Sequence, residues 1–232
     1  LKTLIIVSHP TVEESGSQQF LIQSLPDDGE ITLHVLEQTY PEGEIDLEKE
    51  QALLREHDRI LFQFPFYWYS SPPLLKKWQD DVLTDHFAFG YRGTKLHGKE
   101  FGLVLIIGLP EKEYQTGGEE GFSISELTKP YQAMAKKTGM TYLKPLTIFQ
   151  FPYLTEPEKK ALLIAYQQYI SLPQPISLKR KEDWVLDQLA KTSKETLPTE
   201  GAAFVLEAAA EAIEDNRMEL DELRLHIDNY DV

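Results

Sequence analysis

The sequence predicts an α/β sandwich, a five-stranded parallel sheet with helices on both faces, followed by a helical extension at the C-terminal end. Three observations carry this expectation. Short β-rich apolar runs alternate with stretches of helical period through the first 172 residues, and such alternation implies crossover connections and parallel pairing. Three of the runs are apolar almost without a break, the composition of strands covered on both faces. Past Leu172 the strand-like runs stop and only helical patterning remains.

Taken in order, the first strand is Thr3–Ser8, built on the apolar run Leu4-Ile5-Ile6-Val7, and a helix follows over Ser17–Ser24. The second strand, Ile31–Leu36, leads to a helix over Leu47–Glu56. The third, Arg59–Phe64, runs into Pro65 and a group of aromatics before Pro72-Pro73 opens a helix over Pro73–Val82. Proline suits that first turn, where its fixed φ fits and its missing N–H costs nothing. The fourth strand is Phe101–Ile107, followed by a helix over Ser123–Thr138; the fifth is Met140–Phe149, followed by a helix over Glu156–Leu172. Five strands, each trailed by a helix, give a doubly wound sheet of flavodoxin type.

The domain expected over residues 1–172 gives way at Pro173-Gln174-Pro175 to an extension over 173–232. Lys179–Lys191 and Ala202–Ile227 read as helices. In the second, Phe204, Val205, Ala208, Ala212, Ile213, Leu220, Leu223 and Ile227 recur at helical spacing. An amphipathic appendage of this size is too small for its own core and is expected to lie on the domain or on a partner subunit.

Composition narrows the function classes. Of 232 residues, 41% are hydrophobic and 26% charged, ordinary for a soluble globular protein, and no apolar run reaches the ~18 residues of a membrane span. Leu1–Val7 is too short for a secretory signal, has no small-residue cleavage site and reads as a first β-strand, while the absence of cysteine fits the expected cytoplasmic location. The formal net charge of −15, from 23 basic and 38 acidic residues, repels nucleic acid and anionic membrane. Residues 195–232 hold eleven of the acidic side chains against Arg217 and Arg224. With no cysteine there is no disulfide, thiolate site or cysteine nucleophile, and the six histidines show no metal-ligand spacing.

Three loops are placed where an α/β sheet binds ligands, outside the carboxyl ends of strands one, three and four. The first, Ser8–Gln19, offers Ser15, Gly16 and Ser17 at a helix N-terminus, where free N–H groups and the dipole favour an anion; an N-cap role for Ser15 or Ser17 is the other reading. His9 there suits either donation to a phosphate or orientation of the loop. The second is Phe66-Tyr67-Trp68-Tyr69, a flat aromatic surface beside free amides. It suits a polar-edged ring such as a flavin, and equally a core gap or a subunit contact. The third, Gly108–Gly118, has glycines that permit close backbone approach and a phenol at Tyr114, or is an ordinary solvated loop. Acidic pairs such as Asp80-Asp81 and Glu119-Glu120 read as solvated faces.

At these residues the sequence resembles the flavodoxin-like NAD(P)H:quinone oxidoreductases, the family of DT-diaphorase, modulator of drug activity B and the bacterial general stress protein type reductases, and most of all the small bacterial members. The resemblance covers roughly residues 1–172. It rests on His9-Pro10, on the run Gln63–Asp80, on Phe87-Ala88-Phe89-Gly90-Tyr91 leading to Leu96-His97-Gly98-Lys99, on Tyr114 with Gly117-Gly118, and on Glu126–Pro130 with Gly139-Met140. It implies a flavin, FMN or alternatively FAD, with its phosphate at His9, Ser15, Ser17 and Gln18. The ring would lie along Pro65, Phe66, Tyr67, Trp68 and Tyr69, with Gly108 and Tyr114 at its far edge. Three departures stand out. Ile106-Ile107-Gly108-Leu109 replaces a family Thr-Thr-Gly-Gly, Gln18 replaces a frequent Asn, and Glu119-Glu120-Gly121-Phe122 stands where a His is often found.

The activity so implied is two-electron transfer from NAD(P)H through the flavin to a quinone or similar electrophile by a ping-pong cycle, with Tyr114 as proton donor and no metal. A homodimer is expected, with Phe87–Tyr91 as a contact segment. A regulatory subunit that binds a transporter or another protein through the same fold is the alternative.

Overall fold

The computed structural model describes residues 1–192 and 200–228. Four strands, β1 (Thr3–Val7), β2 (Ile31–Val35), β3 (Arg59–Pro65) and β4 (Glu100–Ile107), pair in parallel in the order β2-β1-β3-β4. The fifth strand expected over Met140–Phe149 is interrupted. β5 (Thr141–Tyr142) and β6 (Leu146–Phe149) both pair with β4, and Leu143-Lys144-Pro145 separates them. Pro145 has no N–H for the ladder and holds the residue before it to extended backbone, so the strand breaks there and resumes.

Strand side chains alternate between two apolar layers. Leu4, Ile6, Ile60, Phe62, Phe64, Leu103 and Leu105 pack with Leu54 of α3 (Leu47–Glu56), Leu75, Trp78 and Val82 of α4 (Pro73–Val82), and Tyr131 and Ala135 of α6 (Lys129–Thr138). Ile5, Val7, Leu61 and Val104 pack on the other face with Leu21 of α1 (Gly16–Ile22) and with Tyr166, Tyr169 and Ile170 of α7 (Glu156–Ser171). Full burial of each such side chain contributes about 1.5–3 kcal/mol. Gly102 sets how closely α7 lies on β4, since a Cβ there would stand 2.3 Å from Tyr169 Oη and 2.8 Å from Leu61 Cδ2.

The helix expected over Ser123–Thr138 is two helices, α5 (Ile124–Leu127) and α6, meeting at Thr128. Pro130 cannot donate to the carbonyl four residues back, so α6 starts afresh with the proline in its first turn. It ends at Gly139, in the left-handed region (φ 73°), where Met140 N–H returns to Ala135 O at 2.9 Å. The second strand stops one residue early, and a single turn, α2 (Leu36–Thr39), takes its place.

One buried polar cluster joins β2, α3 and α4. Tyr40 Oη donates to Glu50 Oε1 at 2.5 Å, Trp78 Nε1 donates to Oε2 at 2.7 Å, and His34 Nε2 lies 2.9 Å from Oε1. Burial pushes the Glu50 carboxyl up, but His34, Tyr40 and Trp78 together outweigh it and hold the pKa below the ordinary value.

Of the segment expected as a contact, Phe87 and Ala88 are buried in this core and Tyr91 is strongly exposed. The chain divides into two compact units, Leu1–Ser171 and Leu172–Val232. In the second, α8 (Leu178–Lys191) and α9 (Glu200–Asp228) pair, with Arg217 donating to Glu182, to Asp183 and to the Lys179 carbonyl. No helix among the described residues is long and apolar enough to cross a membrane.

Candidate functional site

The carboxyl ends of the adjacent strands β1, β3 and β4 feed three loops. Ser8 N–H donates to Gln63 O, which continues the β1–β3 ladder into the first loop, and Phe66 N–H donates to Ile106 O, which does the same between β3 and β4. Loop position at this end of the sheet is therefore fixed by strand register.

In the β1 loop, Ser8 Oγ donates to Glu37 Oε1 at 2.6 Å. His9, almost fully buried, accepts the Thr11 N–H on Nδ1 at 3.1 Å, which leaves its proton on Nε2. Burial lowers its pKa, outweighing the Glu37 charge and the Thr11 bond, so the ring is held neutral. Ser15 caps α1 by accepting the Gln18 N–H, and its hydroxyl lies 3.3 Å from that of Ser17. Gln18 is fully buried. Tyr166 Oη donates to Gln63 Oε1 at 2.8 Å, and Gln63 Nε2 donates to Gln18 Oε1 at 2.7 Å; Gln18 Nε2 is buried without a partner among the described residues.

After β3 the backbone makes a hairpin turn. Tyr67 and Ser70 form an antiparallel bridge, Ser70 N–H donates to Tyr67 O at 3.0 Å, and both central residues have positive φ (Trp68 47°, Tyr69 62°). Positive φ at both central positions is the mark of a type I′ turn, usually made of Asn and Gly. Two aromatics there store strain of about 1 kcal/mol or more each. The result is presentation: Trp68 is 91% exposed, with Tyr67 and Tyr69 about half exposed, and neither the Trp68 nor the Tyr69 N–H donates to an acceptor among the described residues.

After β4, Gly108 and Leu109 lead into a short 3-10 turn over Glu111–Tyr114. Tyr114 is nearly buried, its ring 6.1 Å from that of Phe149 at the end of β6. The chain then folds back. Glu119 N–H donates to Glu113 Oε2, Glu120 N–H donates to Glu113 O, and Gly118 lies so close that a Cβ would meet Glu113 O at 2.3 Å.

Phe66, Tyr67, Trp68, Tyr69, Gly108, Leu109, Tyr114 and Glu120 line one cleft of about 670 Å³, within the size range of cofactor sites. Of the residues expected to hold a ring, six lie here; Pro65 is buried behind them at the end of β3, and Phe66 turns its side chain into the core while lining the floor. His9, Ser15, Ser17 and Gln18 group in the neighbouring β1 loop. Leu109 and Glu120 were not anticipated. Glu120 is half-buried rather than a solvated loop residue. Its charge raises the pKa of the Tyr69 phenol through a hydrogen bond, and it adds to the burial that raises that of Tyr114. Gly117-Gly118 and Gly121 on either side were the signal in the sequence, since glycines around an acidic pair mark a loop that must fold tightly. No group of three or more His, Asp or Glu among the described residues is arranged to hold a metal ion.

Residues 1–171 match the model of a family described as having a flavodoxin-like fold. The chain belongs to this flavodoxin-like family. The uncharacterized NAD(P)H oxidoreductase YrkL of Bacillus subtilis (strain 168) is 48% identical over 160 residues, which are 69% of this chain and 92% of YrkL. Among solved flavodoxin-like structures, an NADPH-quinone reductase from P. pentosaceus is 42% identical with a TM-score of 0.70, covering 75% of this chain and 99% of that one. The general stress protein 14 of Treponema denticola, solved in complex with FMN, is 33% identical with a TM-score of 0.67, covering 74% and 97%. The family match ends where the first compact unit ends, so α8 and α9 lie outside it.

Proposed function

We propose that this protein is an FMN-dependent NAD(P)H oxidoreductase that reduces quinones or similar flat electrophiles. The observation that carries the reading is the cleft at the ends of β3 and β4, with a strained aromatic turn on one wall and Tyr114 on the other. The residues fit FMN. The cleft has the size and flat walls for the ring, Gly108 leaves open space where a Cβ would stand, and the buried Gln18 Nε2 lacks an acceptor beside a loop suited to a phosphate. The relative from Treponema denticola, solved with FMN, supports FMN over FAD.

Bound FMN would supply two-electron transfer, so that NAD(P)H, one proton and a quinone become NAD(P)+ and a hydroquinone. The chain's residues bind and orient. His9 offers an Nε2–H and Ser17 a hydroxyl to the phosphate, beside the positive end of α1. The Trp68 and Tyr69 amides would hold the polar edge of a bound ring, and the exposed Trp68 side chain would stack on it. Tyr114, with its phenol pKa raised by burial, by Glu120 and by Tyr69, keeps its proton at neutral pH and can give it to an acceptor oxygen. NAD(P)H and the quinone would use the same open side of the cleft in turn. A second copy of the chain, closing that face and covering the exposed rim at Trp68, Leu109 and Phe122, excludes water from it.

The test is a visible spectrum of the purified protein, reconstituted with FMN, under anaerobic conditions. Bleaching of the flavin band by NADPH or NADH and its recovery on adding a quinone are expected. Failure to retain FMN, or retention without bleaching, overturns the reading.

A further inference from the structure

Glu120 is the one charged side chain among the residues that line the cleft, and the backbone puts it there. Its own N–H and that of Glu119 are tied to Glu113, Gly118 is packed against the same carbonyl, and Gly121 follows with φ 70°. The side chain is half-buried, close enough to act on both phenols of the cleft, whereas the adjacent Glu119 is exposed and is not part of the lining. No lysine, arginine or histidine lines the cleft to neutralise it.

We propose that Glu120 makes the open side of the cleft, where an acceptor would meet the bound ring, select by charge. Flat neutral or cationic acceptors are admitted, and those with a carboxylate or sulfonate on the ring are disfavoured. This rests on the reductase reading for the identity of the ligand, while the charge argument stands on the cleft alone. A fixed negative charge on a low-dielectric wall repels an anion arriving at the same face, and the effect is strongest where no counter-charge shares the wall.

The experiment compares 1,4-naphthoquinone with 1,4-naphthoquinone-2-sulfonate as oxidants of the photoreduced, FMN-loaded full chain, in stopped flow at low salt. The readout is the ratio of their second-order rates in the parent, in Glu120→Gln and in Glu119→Gln. The different potentials of the two quinones cancel when variants are compared. In Glu120→Gln the sulfonate-to-neutral ratio is expected to rise about 10-fold, the lower end of what a single-sign cleft does to association. Glu119→Gln, with the same change in net charge, should move it by less than about two-fold, and high salt should shrink the Glu120 effect. Equal ratios in the parent and Glu120→Gln, or equal effects of the two variants, overturn the proposal. A parallel titration with a redox-inert pair, 2-naphthamide and naphthalene-2-carboxylate, reads binding to the same variants by calorimetry. A Glu120-dependent ratio in binding with no quinone turnover would leave the charge selection standing and sink the reductase reading. Turnover with an unmoved ratio does the reverse, and a protein that neither binds nor discriminates either pair overturns the selection outright.

Discussion

Trp68 and Tyr69 are exposed on a turn whose backbone runs against the preference of bulky side chains. Positive φ is costly for a bulky L-residue, and a glycine at either place would relieve it. Trp68→Ala and Trp68→Gly therefore separate two effects. Both should weaken FMN binding by about 1 kcal/mol through loss of a stacked ring, roughly five-fold in Kd. The glycine variant, however, should be more stable than the alanine variant by about 1 kcal/mol in urea denaturation of the apoprotein. Equal stabilities would show that the turn relaxes and holds no strain. Tyr114→Phe is expected to retain FMN while slowing reoxidation by a quinone about 100-fold, as follows from its proposed role as proton donor; an unchanged stopped-flow rate would reassign Tyr114 to packing on Phe149. The aromatic run was only half legible in the sequence: its place on a strand-to-helix turn pointed to the surface, where Tyr67, Trp68 and Tyr69 lie, while Phe66 fills the core as the competing reading allowed. Glu120 was not legible, because alternation along a loop does not say which of two adjacent glutamates turns inward.

Elements were legible where periodicity was strong. β1, β3 and β4, buried on both faces, follow their apolar runs to within a residue. The misreadings cluster at prolines: Pro145 splits the fifth strand and Pro130 restarts the helix before it, although periodicity runs through both. Packing between elements was hidden too, since nothing in the spacing of His34, Tyr40, Glu50 and Trp78 announces that one carboxylate joins β2, α3 and α4. That cluster has a pH signature. The folded-state pKa of Glu50 lies below its unfolded value near 4.5, so its contribution is whole above that pH and is lost as the pH falls below it. In urea titrations between pH 6 and pH 3.5, the parent should lose stability on acidification more steeply than Glu50→Gln. Parallel curves would mean that Glu50 does not titrate with folding.

For the whole molecule, two units of different character share one chain. The first holds the sheet and the cleft; the second is a pair of helices whose outer side chains, among them Phe204, Val205, Leu223 and Ile227, are exposed. On the proposed shared site the full chain is expected to sediment as a dimer, and a version ending at Ser171 is expected to fold, because that stretch is the whole first unit and is matched over 99% of the length of the solved NADPH-quinone reductase. A fully active monomer would remove the second copy from the site. A monomeric truncation would move the contact to α8 and α9.

The hydrogen-bond chain from Tyr166 through Gln63 to Gln18 ties the first helix to the last helix of the same unit, and Thr3 is bound in the same way to the Ile170 carbonyl. Its consequence is one of timing. On the ribosome Gln18 emerges long before Tyr166, and until α7 docks there is no phenol to set which way the Gln63 amide faces, and so none to set Gln18. The β1 loop comes early in the chain, yet the Gln18 amide at its end is set only once α7 has docked. During synthesis a nascent chain can hold a sheet of three or four strands and still leave the Gln18 amide unset.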